Sequence, residues 1–241
     1  MFYSLFDPSN LNGYNFLFRW LHVFFGITWI GLLYYFNFVQ GAFMAETTEA
    51  VAKSQVTQKL LPRAMWWFRW GALWTFLTGF SMLSTRAHME MSVAGVGVFN
   101  NSFWVNILTG AFFGTLMFLN VWLIIWPKQK IVIANAVNTA AGKPADPKLA
   151  VSAARALVAS RTNTMFSIPM MFFMLAANHL GIKTNGTPNF CTYWVVAIIL
   201  ILGLEANAIW GKTGPITTIK GVTTAGFVLT AVFVILLTVL V

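Results

Sequence analysis

The sequence predicts an all-α integral membrane protein, a single transmembrane domain over 1–241 built as a bundle of about six spanning helices. Composition is the first reason: 58% of the 241 residues are hydrophobic and only 9% are charged, against roughly 25% charged residues in soluble domains. The second is the length of the apolar runs, near 14–42, 64–84, 103–126, 162–182, 191–211 and 219–241, each able to cross a bilayer at about 20 residues per span. The third is what the runs lack. No ten-residue alternation of apolar and polar positions recurs, so a β-barrel is excluded.

Charge sets the expected orientation. Most of the 15 Lys and Arg residues fall in three connections: Lys53, Lys59 and Arg63; Lys128, Lys130, Lys143, Lys148, Arg155 and Arg161; Lys212 and Lys220. The alternate connections hold Arg86 and Lys183. The positive-inside rule places the three basic connections in the cytoplasm and both termini on the outer, periplasmic side of a bacterial cytoplasmic (inner) membrane. The net charge of +9 is therefore topological, met by membrane lipids, and nucleic acid is excluded as a partner. The first run starts late and lacks a basic leader and a small-residue cleavage site, so it reads as a span. Cys191, the single cysteine, excludes an iron–sulfur cluster and the paired-cysteine attachment of a c-type haem.

In chain order, Asp7-Pro8-Ser9-Asn10 signals a turn before span 1. The connections near 43–63 and 128–160 read as cytoplasmic helices lying on the membrane surface, the second broken at Gly142-Lys143-Pro144-Ala145-Asp146-Pro147. Span 2 opens on Met65-Trp66-Trp67-Phe68-Arg69-Trp70, an interfacial tryptophan belt with an arginine that can snorkel inward. A Gly- and Asn-containing loop leads through Asn101 to span 3. There Gly110 and Gly114 have the spacing of a close helix contact, and Pro127 is expected to end the span. Span 4 carries Pro169, a kink position. Glu205, in the inner third of span 5, is expected to pair with Arg69 or Arg161, as a helix-locking ion pair or as part of a proton path.

The candidate site comes from the histidines. His22 sits inside an apolar run, where an ionisable side chain is a functional candidate. His22 and Gly26 share a helix face, the imidazole able to bind a flat ligand and the glycine able to make room for it. The plain alternative is a packing histidine bonded to a neighbouring backbone. His88 and His179 fall on the same outer side by topology. Imidazoles on facing helices, beside small residues and in an aromatic-rich protein, suit haem b better than a bare copper or zinc ion, because no carboxylate or thiolate cluster completes a closed site. His22 and His179 are the axial candidates, with Arg19 placed to neutralise a propionate or an anionic substrate.

Two stretches carry a resemblance. Arg19-Trp20-Leu21-His22 with Gly26-Ile27-Thr28-Trp29-Ile30-Gly31, and Ser160-Arg161-Thr162-Asn163-Thr164 with Ser167-Ile168-Pro169 leading to Asn178-His179, resemble the urate oxidase N-terminal family. The Trp122–Pro127 stretch and Glu205-Ala206-Asn207-Ala208 also fit it. That family supplies the membrane domain of bacterial membrane-bound urate hydroxylases, where a cytochrome c domain follows. The resemblance implies urate oxidation with electrons passed to a cytochrome c, here on a separate protein because the sequence ends after the last span. Haem- and copper-related small membrane families resemble the Arg-Trp-x-His start more distantly. Other classes stay open: a non-enzymatic membrane subunit anchoring a larger respiratory complex, and a transporter using Glu205, Arg69 and the histidines.

Overall fold

The computed structural model describes residues 11–94, 101–181 and 189–241, and these are helical almost throughout, with no strand among them. The turn expected at Asp7–Asn10, the loop before Asn101 and Lys183 lie outside the described residues. Helix α1 (Leu11–Tyr34) passes through a π-helical turn, Tyr35–Gln40, into α2 (Gly41–Glu46). Helix α3 (Ala50–Gln55) passes through a second π turn, Val56–Leu60, into α4 (Leu61–Ala94). Helix α5 (Ser102–Leu119) passes through a third, Asn120–Ile125, into α6 (Trp126–Ala140). Then come α7 (Leu149–His179), α8 (Phe190–Trp210), a short 3₁₀ turn at Gly214–Thr217 and α9 (Ile219–Leu240).

Four of these rods are long and apolar enough to cross a membrane: Gly13–Glu46, Ser102–Ala140, Phe190–Trp210 and Ile219–Leu240. Helices α4 and α7, at 34 and 31 residues, have the length but not the hydropathy. Arg69, Arg86, His88 and Glu90 dilute the first, and the polar run from Ser160 to Ser167 dilutes the second. Much of that second run is buried, Thr162, Asn163, Thr164 and Ser167 included. Side chains directed outward are apolar, as at Ile27, Leu123, Trp210 and Val239.

The connections near 43–63 and 128–160 are largely helical. The chain leaves the helix only at 47–49 and 141–148, and the segments on either side continue the spans as long helical hairpins. Pro127, expected to end span 3, stands inside its rod. A proline in a regular helix removes one hydrogen bond and strikes the carbonyl four residues back. Here the wider π turn lies immediately upstream and takes up that conflict, and Val56–Leu60 stands in the same relation to Pro62. After the first π turn comes Gly41, where a Cβ would stand 3.2 Å from Phe36 O.

Packing divides into an α1–α4 pair and a group around α7, which touches α5, α6, α8 and α9. In lipid, helices associate through van der Waals fit more than through apolar burial, so small residues at contacts matter. A Cβ on Gly71 would lie 3.2 Å from Trp29 N, and one on Gly110 would lie 3.1 Å from both Met170 O and Met174 N. Gly226 approaches Met165 O at 3.0 Å in the same sense. That carbonyl has no partner four residues on, because Pro169 has no N–H. Phe113 fills the centre, edge-on to Phe166 at 5.1 Å and to Phe233 at 5.2 Å.

The far end of α4 is clamped to the start of α5. Glu90 accepts from Arg86 Nε at 2.9 Å and from the buried Trp104 indole, and the Arg86 guanidinium lies 3.4 Å over the Phe103 ring. Partial burial pushes the Glu90 carboxyl up, but the bonds from Trp104 and Arg86 and the Arg86 charge together hold it below its ordinary value. A carboxylate lowered in this way contributes stability that is complete above its unfolded pKa and is lost as pH falls through the folded one. The thermal midpoint of the wild type should therefore exceed that of Glu90→Gln near neutral pH. The gap should close between about pH 5 and about pH 3. A gap independent of pH would remove the carboxylate from the clamp.

Candidate functional site

His22 is half-buried on the face of α1 that meets α4. Its Nδ1 lies 2.9 Å from Thr75 O, with Thr78 Oγ1 at 3.3 Å. A carbonyl only accepts, so Nδ1 carries the proton and donates it, and Nε2 is left as the bare nitrogen. The threonine hydroxyls are turned back on their own helix: Thr75 Oγ1 donates to Gly71 O and Thr78 Oγ1 to Trp74 O. Glycine at 79 makes this seat possible, since a Cβ there would stand 2.9 Å from the imidazole Cε1. His22 is thus bonded to a neighbouring backbone, the plain alternative. The same bond fixes the tautomer that a metal-binding imidazole uses.

The other expected residues are more dispersed. Gly26 faces α4, where a Cβ would meet Thr75 Cγ2 at 3.9 Å, so its missing side chain admits a helix. Arg19, His88 and His179 are exposed. Helix α1 meets α7 lower down, where Tyr34 Oη and Ser167 Oγ are 2.9 Å apart and Asn37 Nδ2 donates to Ser160 Oγ at 2.8 Å. Among the described residues no three His, Cys, Asp or Glu side chains gather into a metal-binding group.

Glu205 does not pair with an arginine. It is buried, and its Oε2 accepts from Asn120 Nδ2 at 3.0 Å. Asn120 Nδ2 also donates to Asn163 Oδ1 at 2.9 Å, and Asn163 Nδ2 donates to Met117 O at 2.9 Å. A continuous buried network thus ties α8 to the third π turn, α7 and α5. Arg69 instead stacks 4.1 Å over Trp126. The Arg69 Nε and the Arg161 Nε and Nη1 are buried with no hydrogen-bond partner among the described residues, and the ion pair found there is Arg86–Glu90. Carboxylate anomalies pointed to Glu205; nothing local in the sequence pointed to Asn120 as its donor.

A model of the family described as urate oxidase N-terminal matches residues 97–238. The match takes in α5 to α9 with the whole Asn120–Asn163–Glu205 network and His179. His22, His88 and the Arg19–Gly31 stretch precede it. No curated protein and no solved structure matches the chain.

Proposed function

Because the chain belongs to the urate oxidase N-terminal family, we propose that it is a membrane redox protein of urate oxidation that hands electrons to a cytochrome c at the outer face. In this reading α4 and α7 also cross the bilayer, giving six spans with both termini outside a bacterial inner membrane, as the charge distribution favours. The observation that carries the redox part is His22: an imidazole within an apolar run, its Nδ1–H anchored on Thr75 O, which leaves Nε2 as the lone-pair nitrogen. That donor chemistry would suit holding the iron of haem b.

If haem is bound, His22 would hold it, with His179 as a second candidate and Arg19 as a countercharge for its acidic groups. Haem, when bound, supplies one-electron transfer between substrate and cytochrome. The chain's own residues do the rest: Thr75 holds the imidazole proton at Nδ1, Gly79 leaves room for the ring, and α4 keeps it from rotating. Oxidation with addition of water at a purine carbon releases two electrons and two protons. Two one-electron cytochrome c molecules are therefore reduced for each urate.

The test is a dithionite-reduced minus oxidised spectrum of the detergent-purified protein, with haem extracted and quantified. The wild type should carry about one haem b per chain, and His22→Ala should lose most of it. A wild type with no chromophore would overturn the haem reading and leave a membrane subunit defined by its partners.

A further inference from the structure

Arg161 is a charge that the bundle leaves unanswered. Its Nε and Nη1 are buried and have no hydrogen-bond partner among the described residues, whereas buried polar groups are nearly always paired. A guanidinium has five N–H donors, no acceptor and a permanent charge. Whichever way it turns, the missing partner is an acceptor, and a charged donor out of water calls for an anionic one. The side chain as a whole is only partly buried, so a partner can reach it from outside the bundle.

Its place follows from the packing of α7 on α9. Arg161, Met165 and Ile168 stand at i, i+4 and i+7 on one face of α7, and Met165 O and Ile168 Cγ1 are close neighbours of Gly226. Phe173 meets Phe233 farther along, so the two helices run in the same direction and Arg161 falls level with the first turn of α9. That end of the bundle gathers cations. Arg155 Nη1 donates to Gly211 O at 3.1 Å, tying down the connection to α9, and exposed Lys212 and Lys220 lie on either side of the 3₁₀ turn. No carboxylate answers them. After Asp146 the sequence holds one acidic residue, Glu205, which accepts from Asn120, and the ion pair among the described residues is Arg86–Glu90.

The anion that comes to such a place is the phosphate of a membrane lipid. The basic ends of membrane helices lie at headgroup level, a phosphate matches the guanidinium fork, and each nearby Lys or Arg adds to the attraction of an anionic headgroup. Water satisfies an N–H but brings no charge. We propose that Arg161 is the centre of a phospholipid site: the phosphate of an anionic lipid sits on its guanidinium beside the start of α9, with Lys212 and Lys220 toward the headgroup and the acyl chains along exposed apolar side chains of α9 such as Phe227. The proposal needs α7 and α9 to cross a bilayer and nothing of the redox reading.

The experiment is native mass spectrometry of the whole protein released from nanodiscs of phosphatidylcholine with a minor share of phosphatidylglycerol. The wild type should keep about one phosphatidylglycerol per chain, and should keep it at high salt, because a partly buried ion pair is screened little. Arg161→Gln should lower that retention at least about tenfold, the loss of a charge-assisted contact. Arg161→Lys, which keeps the charge without the fork, should fall between the two. Lys212→Gln with Lys220→Gln should lose less than Arg161→Gln. The selectivity of the wild type needs no variant, so a misfolded Arg161→Gln leaves the test standing. Retention in proportion to the bilayer composition, or a preference that disappears with salt, would overturn the site. Equal losses in the arginine and lysine variants, the mark of diffuse charge, would do the same. Release of the lipid by excess inorganic phosphate would assign the seat to a free anion and overturn the lipid as its occupant.

Discussion

Asn120→Leu is expected to be among the most destabilising substitutions in the buried core. Asn120 spends both amide hydrogens, one on Asn163 Oδ1 and one on Glu205 Oε2, so leucine strands two acceptors at once. A hydrogen bond between membrane helices is worth only about 0.6 kcal/mol on average, but leaving a buried acceptor unpaired costs about 1–3 kcal/mol, and more for a charged one. The stranded groups decide the outcome, and a loss of about 2–4 kcal/mol follows for the single variant. Glu205→Leu in the Asn120→Leu background should restore part of that loss, since it removes the orphaned carboxyl. The double-mutant cycle can be read by reversible unfolding in mixed micelles. Additive single effects would mean that Asn120 and Glu205 do not act on one another.

Gly110→Leu should have a comparable effect for a different reason. The atoms that a Cβ would meet, Met170 O and Met174 N at 3.1 Å, belong to the backbone of α7. A side chain can rotate away from a clash, but a helix backbone cannot. The α5–α7 contact must therefore open. Overpacking costs typically about 1–3 kcal/mol and occasionally more, and a rigid neighbour puts this site at the upper end. Gly114→Ala is the control: a Cβ there meets only the Met170 Cγ at 3.7 Å and the Met174 Cε at 4.0 Å, ordinary contacts. The variant pair should separate clearly in the yield of monodisperse protein after detergent extraction, and equal behaviour would place the critical approach elsewhere.

The helical rods were legible because apolar runs of spanning length leave little choice of structure. The Gly110–Gly114 contact was legible too, since small residues one turn apart have one common use in membranes. His22 was visible as an ionisable group in an apolar run, but its seat was not. Thr75 and Gly79 lie more than 50 residues away, and a threonine or glycine within a span carries no mark of what packs on it. Glu205 announced itself for the same reason as His22. Its partner was sought among arginines because opposite charges attract, yet a neutral asparagine satisfies a buried carboxyl without bringing a second charge out of water. Arg69 found an aromatic face instead. Pro127 was read as the end of span 3 because a proline looks like a helix boundary to any local reading, whereas the rod runs on through it.

The three π turns have a consequence for how the chain can vary. Each holds one residue more than a regular turn would, and one residue is worth about 100° of rotation about the helix axis. The sequence pattern on the two sides of each π turn is thus out of phase by one residue, although the helix faces themselves stay aligned, because the wide turn absorbs the extra residue. Deleting the outward-facing Leu123 would convert Asn120–Ile125 to regular helix and leave α6 at its present azimuth, displaced along the axis by about one residue's rise. The same deletion in a regular turn would swing everything beyond it by about 100°. For this chain the π turns are the places where a single residue can be lost without turning one end of a rod away from its partners.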